Sequence, residues 1–457
     1  MNLDDLKQVY FIGIGGIGMS ALARYFNDKG VKVSGYDKTE SVLTKKLVSE
    51  GISVHYQDDV KLIPGNIDMV VYTPAVSKKN KQLNKLQKCN VPVIKRSELL
   101  GLLAKSHDAI AIAGTHGKTS TTAITAHIMR TCGMDVSAFI GGILADYDTN
   151  YFAGDGQWIV LEADEYDHSF LRLHPEISVL QSMDPDHLDI YGSHEVMVAN
   201  FIAFLNQTEY GGKLILNYSL LEYIDAEAMV ELKGQYSVIT FGFSNLADAV
   251  ITDTHVDNGM SGFTLQYKGE SVEVLQYLPG DHNRLNATAA LLATSLAGCN
   301  MQEAANALSV FKGIKRRYEI VARRDVVYVD DYAHHPKELN AAIQATRELF
   351  PDARILGIFQ PHLYSRTRDF AEEFGRSLEV LDEVVLMDIY PAREEPIKGV
   401  TSSMILNYIN HNNKSLLEEE AIIEKVKERN YDVIMTLGAG DIDLLVPVIK
   451  DIILNYG

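Results

Sequence analysis

Short apolar runs recur along the chain, each closing on glycine or polar residues before a longer amphipathic or alanine-rich stretch. Runs of this length, rich in Val and Ile, predict strands buried on both faces, and the stretches between them predict crossover helices. From Val9 to Asp37 the chain reads strand, glycine turn, helix, strand, and MVVYTPAVS (Met69 to Ser77) and VPVIKRSELL (Val91 to Leu100) continue the alternation. A second set starts with AIAIAGTHGKTSTT (Ala109 to Thr122) and runs through WIVLEADEYD (Trp158 to Asp167) and ISVLQSMDPDHLD (Ile177 to Asp189). GGKLILN (Gly211 to Asn217), YSVITFGF (Tyr236 to Phe243) and a hairpin turning at KGE within Gly262 to Leu278 extend it, ahead of a helix in Pro279 to Gly298. A third set holds Val326 to Leu339, Arg354 to Phe370, Glu383 to Pro396 and Asp432 to Asp443.

At roughly 150 residues per domain, 457 residues suggest about three cores. The pattern predicts an α/β chain with an N-terminal Rossmann-like domain over residues 1–105, a central P-loop ATPase-type parallel sheet over 106–312 and a C-terminal Rossmann-like domain over 313–457. A net charge of −19 argues against nonspecific binding to nucleic acid or an anionic membrane. Cys89, Cys132 and Cys299 are far apart in sequence and form no CxxC pair, which fits a reducing compartment without a disulfide framework or structural zinc. The acidic start MNLDDLKQ has no signal-peptide pattern, and no apolar run approaches the roughly 18 residues of a membrane span, so a cytoplasmic protein is expected.

Two glycine loops carry the candidate chemistry. Gly13, Gly15 and Gly18 satisfy GxGxxG, with Gly16 between them, and Asp37 follows at the end of the second strand. That fingerprint suits NAD, and equally the diphosphate of a UDP-sugar. GTHGKT is a shortened phosphate-binding loop, with Ile112 where the standard motif has its first glycine. Backbone N–H groups at the start of a helix favour phosphate oxygens, Lys118 would meet the terminal phosphates, and the Thr119 hydroxyl is a ligand type for Mg²⁺. Glu162 closes an apolar strand and would face the same ion, while Asp184, Asp186, His187 and Asp189 follow the next strand as candidate ligands. His282, Asn283 and Asn286 either cap their helix or face a base or ribose. Asn84-Lys85 is followed by Leu-Gln, so no guanine motif is present and adenine is the expected base. Lys312, Lys315, Arg316, Arg317, Arg323 and Arg324 make a basic cluster before the third domain, an expected anion site. A diphosphate site and a triphosphate site in one chain point to a ligase or kinase acting on a nucleotide-linked substrate.

The ordered set GIGGIGMSALAR, GTHGKTSTT, EADEYD, DPDHLD, GDHNRLNA, DDYAHHP, QPHLYSRT and GAGD resembles the Mur ligase family across all three domains. The resemblance implies an ATP-dependent, ADP-forming ligase of peptidoglycan precursor synthesis that joins L-alanine to UDP-N-acetylmuramate, with ATP and Mg²⁺ required. It implies that the first domain holds the UDP moiety through Gly13, Gly15, Gly16, Gly18 and Asp37, with Arg316 and Arg317 contributing from the basic segment. Gly114, Thr115, His116, Gly117, Lys118, Thr119 and Ser120 would cradle the ATP phosphates, and Thr119, Glu162 and His187 would serve Mg²⁺. His282, Asn283, Asn286 and Asp331 would contact the nucleotide. Lys118, His187, His334, His335, His362 and Arg366 would carry the chemistry, with Tyr332 beside them.

The sequence departs from the family pattern at Leu363, where arginine is common, and at Gln181-Ser182, which replaces a common Thr-Asn. No lysine occurs from Leu188 to Thr208, where ligases that add later residues carry a carbamoylated one; that absence agrees with alanine addition. The competing readings are a murein-peptide ligase acting on the same sugar nucleotide and, from another class, an NAD-dependent oxidoreductase.

Overall fold

The computed structural model describes residues 3–185, 188–392 and 394–455. Three sheets follow one another along the chain. The first contains β1 (Gln8–Ile12), β2 (Lys32–Tyr36), β3 (Ser53–His55), β4 (Met69–Tyr72) and β5 (Val93–Lys95), in the order β3-β2-β1-β4-β5 and parallel throughout. Val9, Tyr10, Phe11 and Ile12 are fully buried, as expected for a central parallel strand covered by helices on both faces.

The second sheet contains β6 (Asp108–Ala113), β7 (Val136–Leu144), β8 (Thr149–Phe152), β9 (Trp158–Glu162), β10 (Ile177–Leu180), β11 (Lys213–Asn217), β12 (Ser237–Gly242), β13 (Ala249–Asp257), β14 (Met260–Tyr267) and β15 (Glu270–Gln276). Their order is β15-β14-β13-β12-β11-β10-β6-β9-β7-β8. β6 lies parallel between β10 and β9, so the three strand ends expected to carry the phosphate chemistry open on one edge. The third sheet contains β16 (Glu319–Arg323), β17 (Val327–Asp331), β18 (Ile355–Phe359), β19 (Glu383–Leu386), β20 (Lys414–Leu416) and β21 (Val433–Leu437), ordered β16-β17-β21-β18-β19-β20 with only β16 antiparallel.

The chain divides into two compact units. One holds residues 1–253, 263–274 and 285–311, and the other holds 254–262, 275–284 and 312–457. Within the first unit the first two sheets share a core. The helix Ile17–Asp28 sets Tyr25 against Phe139 and Tyr151 of the second sheet, at ring-centroid distances of 5.7 and 6.3 Å. Arg24, also on this helix, pairs with Glu50 at 2.7 Å and bonds Asn150, whose amide in turn donates to Ser20 Oγ at 3.0 Å. Lys29 pairs with Asp155 across the same seam.

The fold also joins what the sequence separates. Cys132 and Cys299 are brought close enough to perturb each other as free thiols, Cys299 Sγ donates to Met134 Sδ at 3.2 Å, and burial pushes Cys299 up to about 12. Among the described residues no helix is long and apolar enough to cross a membrane.

Candidate active site

β6 is buried through Ala113 and delivers the chain into GTHGKT at the sheet edge. Two positions there require glycine. Gly117 has φ +82° and forms the N-cap of the helix Lys118–Thr131; a Cβ on it would lie 2.5 Å from Asn286 Oδ1. Gly114 has φ +140°, and a Cβ there would meet Ser182 N at 2.9 Å.

The loop is clamped from the end of β10. Ser182 Oγ accepts from His116 N at 2.7 Å and lies 3.0 Å from Thr115 Oγ1, while Ser182 O accepts from Thr115 N at 3.2 Å. Gln181 Nε2 donates to Thr121 Oγ1 at 2.7 Å, and Thr121 donates to Asn286 Oδ1 at 3.2 Å. The Gln181-Ser182 departure therefore sits under the loop, and Ser182 does with one hydroxyl what holds the loop backbone in place. Ser120 follows, half-buried in the first helical turn, and His116 is exposed.

Thr119 Oγ1 donates to both Glu162 oxygens, at 3.0 and 3.1 Å, and Gly141 N donates to Glu162 Oε2 at 3.0 Å. A side chain at position 141 would collide with that carboxylate. A hydroxyl and a carboxylate set side by side at the loop are oxygen donors of the kind a hard divalent cation takes. His187 and Asp186 lie outside the described residues, and the described residues contain no group of three His, Cys, Asp or Glu side chains arranged to hold a metal.

Lys118 Nζ donates to Gly114 O at 2.6 Å and reaches Glu165, whose oxygens lie at 2.9 and 2.8 Å. Sequence reasoning at EADEYD singles out Glu162 and misses Glu165, although the second acid stands only three residues further on.

In the first sheet, a cavity of about 680 Å³ is lined by Gly13, Gly15, Gly16 and Asp37, with Lys38 and Lys79 also on its wall. Asp37 Oδ2 accepts from Gly15 N at 2.7 Å and its Oδ1 from Thr39 N at 3.2 Å, so this carboxylate braces the glycine turn. Gly18 is not on the cavity wall; it leaves room for Arg96, whose guanidinium crosses to Asp164 at 2.8 Å.

Of the helix signals near Pro279, Asn283 Nδ2 donates to Pro279 O at 2.8 Å, closing its own turn, and His282 is exposed. Asn286 lies beneath Gly117 and braces the phosphate loop. Asn283 and Asn286 thus have capping and bracing contacts within the protein.

The C-terminal unit has its own cluster. Asp331 ends β17 and accepts from Tyr318 N at 2.6 Å and Ala333 N at 2.7 Å; desolvation pushes its pKa up to about 7 against those bonds. The His334 ring stands edge-on to Tyr332 and His362, at centroid distances of 5.2 and 5.8 Å. Desolvation lowers the His334 pKa, against the attraction of Glu338 and with the help of Arg366 and Arg317, so its imidazole is neutral at pH 7. His362 stacks on Tyr390 at 5.9 Å, and Arg366 Nη1 lies 3.4 Å from His362 Nδ1.

His335 stands apart from this group. It caps the helix Pro336–Leu349 by accepting from Lys337 N at 3.3 Å, and its ring packs on Phe370 at 5.1 Å. Leu363 has φ +71° at the start of the helix Tyr364–Leu378, an uncommon conformation for a branched side chain. Arg316 is engaged inside its own unit, bonding Asp330 at 3.2 Å and Gly438 O at 2.6 Å, while Arg317 is exposed. The UDP-side role expected of Arg316 is thus set against a guanidinium that ties β17 to the GAGD loop.

Comparison with known proteins adds a family to this geometry. Sequence models match in succession: the Mur ligase family catalytic domain over residues 8–108, the Mur ligase middle domain over 112–294 and the Mur ligase glutamate ligase domain over 316–446. The chain is 45% identical to the UDP-N-acetylmuramate–L-alanine ligase of Cytophaga hutchinsonii, over 98% of this chain and 97% of that one. It is 43% identical to the enzyme of the same name from Flavobacterium johnsoniae, over 98% of each. Among solved structures, the UDP-N-acetylmuramate-alanine ligase of Thermotoga maritima superposes with a TM-score of 0.82 at 25% identity, over 98% of this chain and 100% of that one. A murein peptide ligase from Psychrobacter arcticus shares the fold, with a TM-score of 0.67 at 22% identity, over 97% and 98%. From the ordered loops to relatives that match nearly end to end, these findings converge: the chain belongs to the Mur ligase family.

Proposed function

We propose that this chain is an ATP-dependent, ADP-forming ligase that joins L-alanine to the lactyl carboxylate of UDP-N-acetylmuramate, acting in the cytoplasm, where both nucleotides are available. The observation that carries the reading is the GTHGKT loop with Lys118 and the Thr119–Glu162 pair at its mouth, in a chain whose full-length relatives bear the alanine-ligase name.

A carboxylate does not react with an amine until one of its oxygens becomes a leaving group. The lactyl carboxylate attacks the γ-phosphorus of ATP, the bond to the bridging oxygen breaks, and an acyl phosphate and ADP form. The alanine amine then attacks the acyl carbon, and phosphate departs with the carboxyl oxygen. Charge on the transferring phosphoryl oxygens is met by Lys118 and the loop N–H groups, which act by position and electrostatics. Thr119 and Glu162, with His187 as the family resemblance implies, would hold Mg²⁺, whose charge would further neutralise the phosphates. The glycine turn and Lys79 of the N-terminal cavity suit the sugar nucleotide's diphosphate. His334, neutral at pH 7, is the group we assign to take the proton from alanine's ammonium.

The test is phosphate release from ATP with UDP-N-acetylmuramate, with L-alanine or L-Ala-γ-D-Glu-meso-diaminopimelate supplied in parallel. Release that needs both the sugar nucleotide and alanine supports the reading; turnover with the tripeptide alone would move the enzyme to recycling. Lys118→Ala should cost several kcal/mol of transition-state stabilisation, roughly a hundredfold or more in rate.

A further inference from the structure

Among the described residues, Glu165 is the strongly buried carboxylate at the phosphate loop that the reaction does not use. Its side chain is 1% exposed, and Lys118 is 14% exposed beside it. The lysine's ammonium lies 2.9 and 2.8 Å from the two Glu165 oxygens, 2.6 Å from Gly114 O and 3.3 Å from Thr115 O. An ammonium has three donors, and acceptors of the protein already engage them. Glu165 is itself anchored: its carbonyl oxygen accepts from Tyr191 Oη at 2.5 Å and from His168 N at 3.1 Å. The ion pair is therefore held from both sides.

A buried cation and anion stabilise each other, and removing one leaves the other at a high cost. A ligand phosphate that recruits Lys118 must take it from Glu165, and the free energy of the ion pair is subtracted from the ligand's binding. The same subtraction works in reverse after transfer. When the γ-phosphoryl group has left, Glu165 competes for Lys118 against an ADP that carries less charge.

We propose that Glu165 is a positioning residue that competes with nucleotide for Lys118, limiting nucleotide affinity and driving the lysine back when ADP is to leave. The inference rests on the reading of GTHGKT as the ATP site. It accounts for an acid buried three residues beyond Glu162, and it needs no conformational change larger than a lysine rotamer.

Full-length Glu165→Gln should bind a non-hydrolysable ATP analogue and ADP more tightly than the unaltered chain, by about tenfold or more, measured by calorimetry. Its KM for ATP and its kcat should fall together, as slow release of ADP replaces an earlier step. A purely structural ion pair would lower thermal stability without tightening nucleotide. Glu165→Asp keeps the charge and withdraws it by one methylene, so it should show the same change in smaller measure and covers the case in which the glutamine variant folds poorly. Unchanged or weaker nucleotide binding in both variants, with the unaltered chain binding normally, overturns the inference alone. Failure of the unaltered chain to bind either nucleotide overturns the ATP-site reading and this inference with it.

Discussion

At the scale of single residues, adjacent histidines part company. His334 and His335 look equivalent in DDYAHHP, yet one faces Tyr332 and His362 and the other caps a helix. Because burial lowers the His334 pKa from 6.5, the group stays neutral to below the ordinary imidazole value. The acid limb of kcat/KM should therefore fall below pH 6.5, and His334→Asn should abolish that limb along with most of the activity. Between the lowered value and 6.5 the unfolded chain binds a proton that the native chain does not, so His334 contributes a loss of stability as pH falls through that window. Ser182→Ala removes the acceptor of His116 N–H and should cost about 1 kcal/mol of stability while raising KM for ATP, read by thermal melts and initial rates.

At the scale of elements, most of the sheet edge was legible. Apolar runs closing on glycine or polar residues placed β1, β6, β9, β10, β17, β18, β19 and β21, because a strand buried on both faces leaves no other composition open to it. What stayed hidden was where side chains turn after the strand ends. Asp37 fits the ribose-binding position by spacing, but its carboxylate accepts from Gly15 N in the glycine turn and from Thr39 N in its own. Asn286 fits a nucleotide contact by family likeness, but it lies under Gly117. Glu165 was in view within EADEYD, and only the fold brings it to Lys118. Such partnerships depend on backbone direction over long sequence separations, which periodicity does not encode. The capping role of His335 gives a prediction at this level. His335→Ala should destabilise the chain by about 1 kcal/mol while His335→Asn, a good cap, should be nearly neutral, both measured by thermal unfolding.

At the scale of the whole molecule, the first two sheets are joined by Tyr25, Phe139, Tyr151 and the Arg24–Glu50–Asn150 contacts. Tyr25 is 7% exposed, so Tyr25→Ala should cost about 3 kcal/mol or more and lower the melting of both sheets together, seen as one calorimetric transition moving rather than one splitting from another. The family's sequence models cut the chain into three modules, whereas its contacts gather it into two bodies. The module a sequence model recognises is thus not the unit within which the contacts close. A fragment ending at residue 105 would present to water the Tyr25 ring that Phe139 and Tyr151 otherwise cover, and its cheapest remedy would be to stick to a copy of itself.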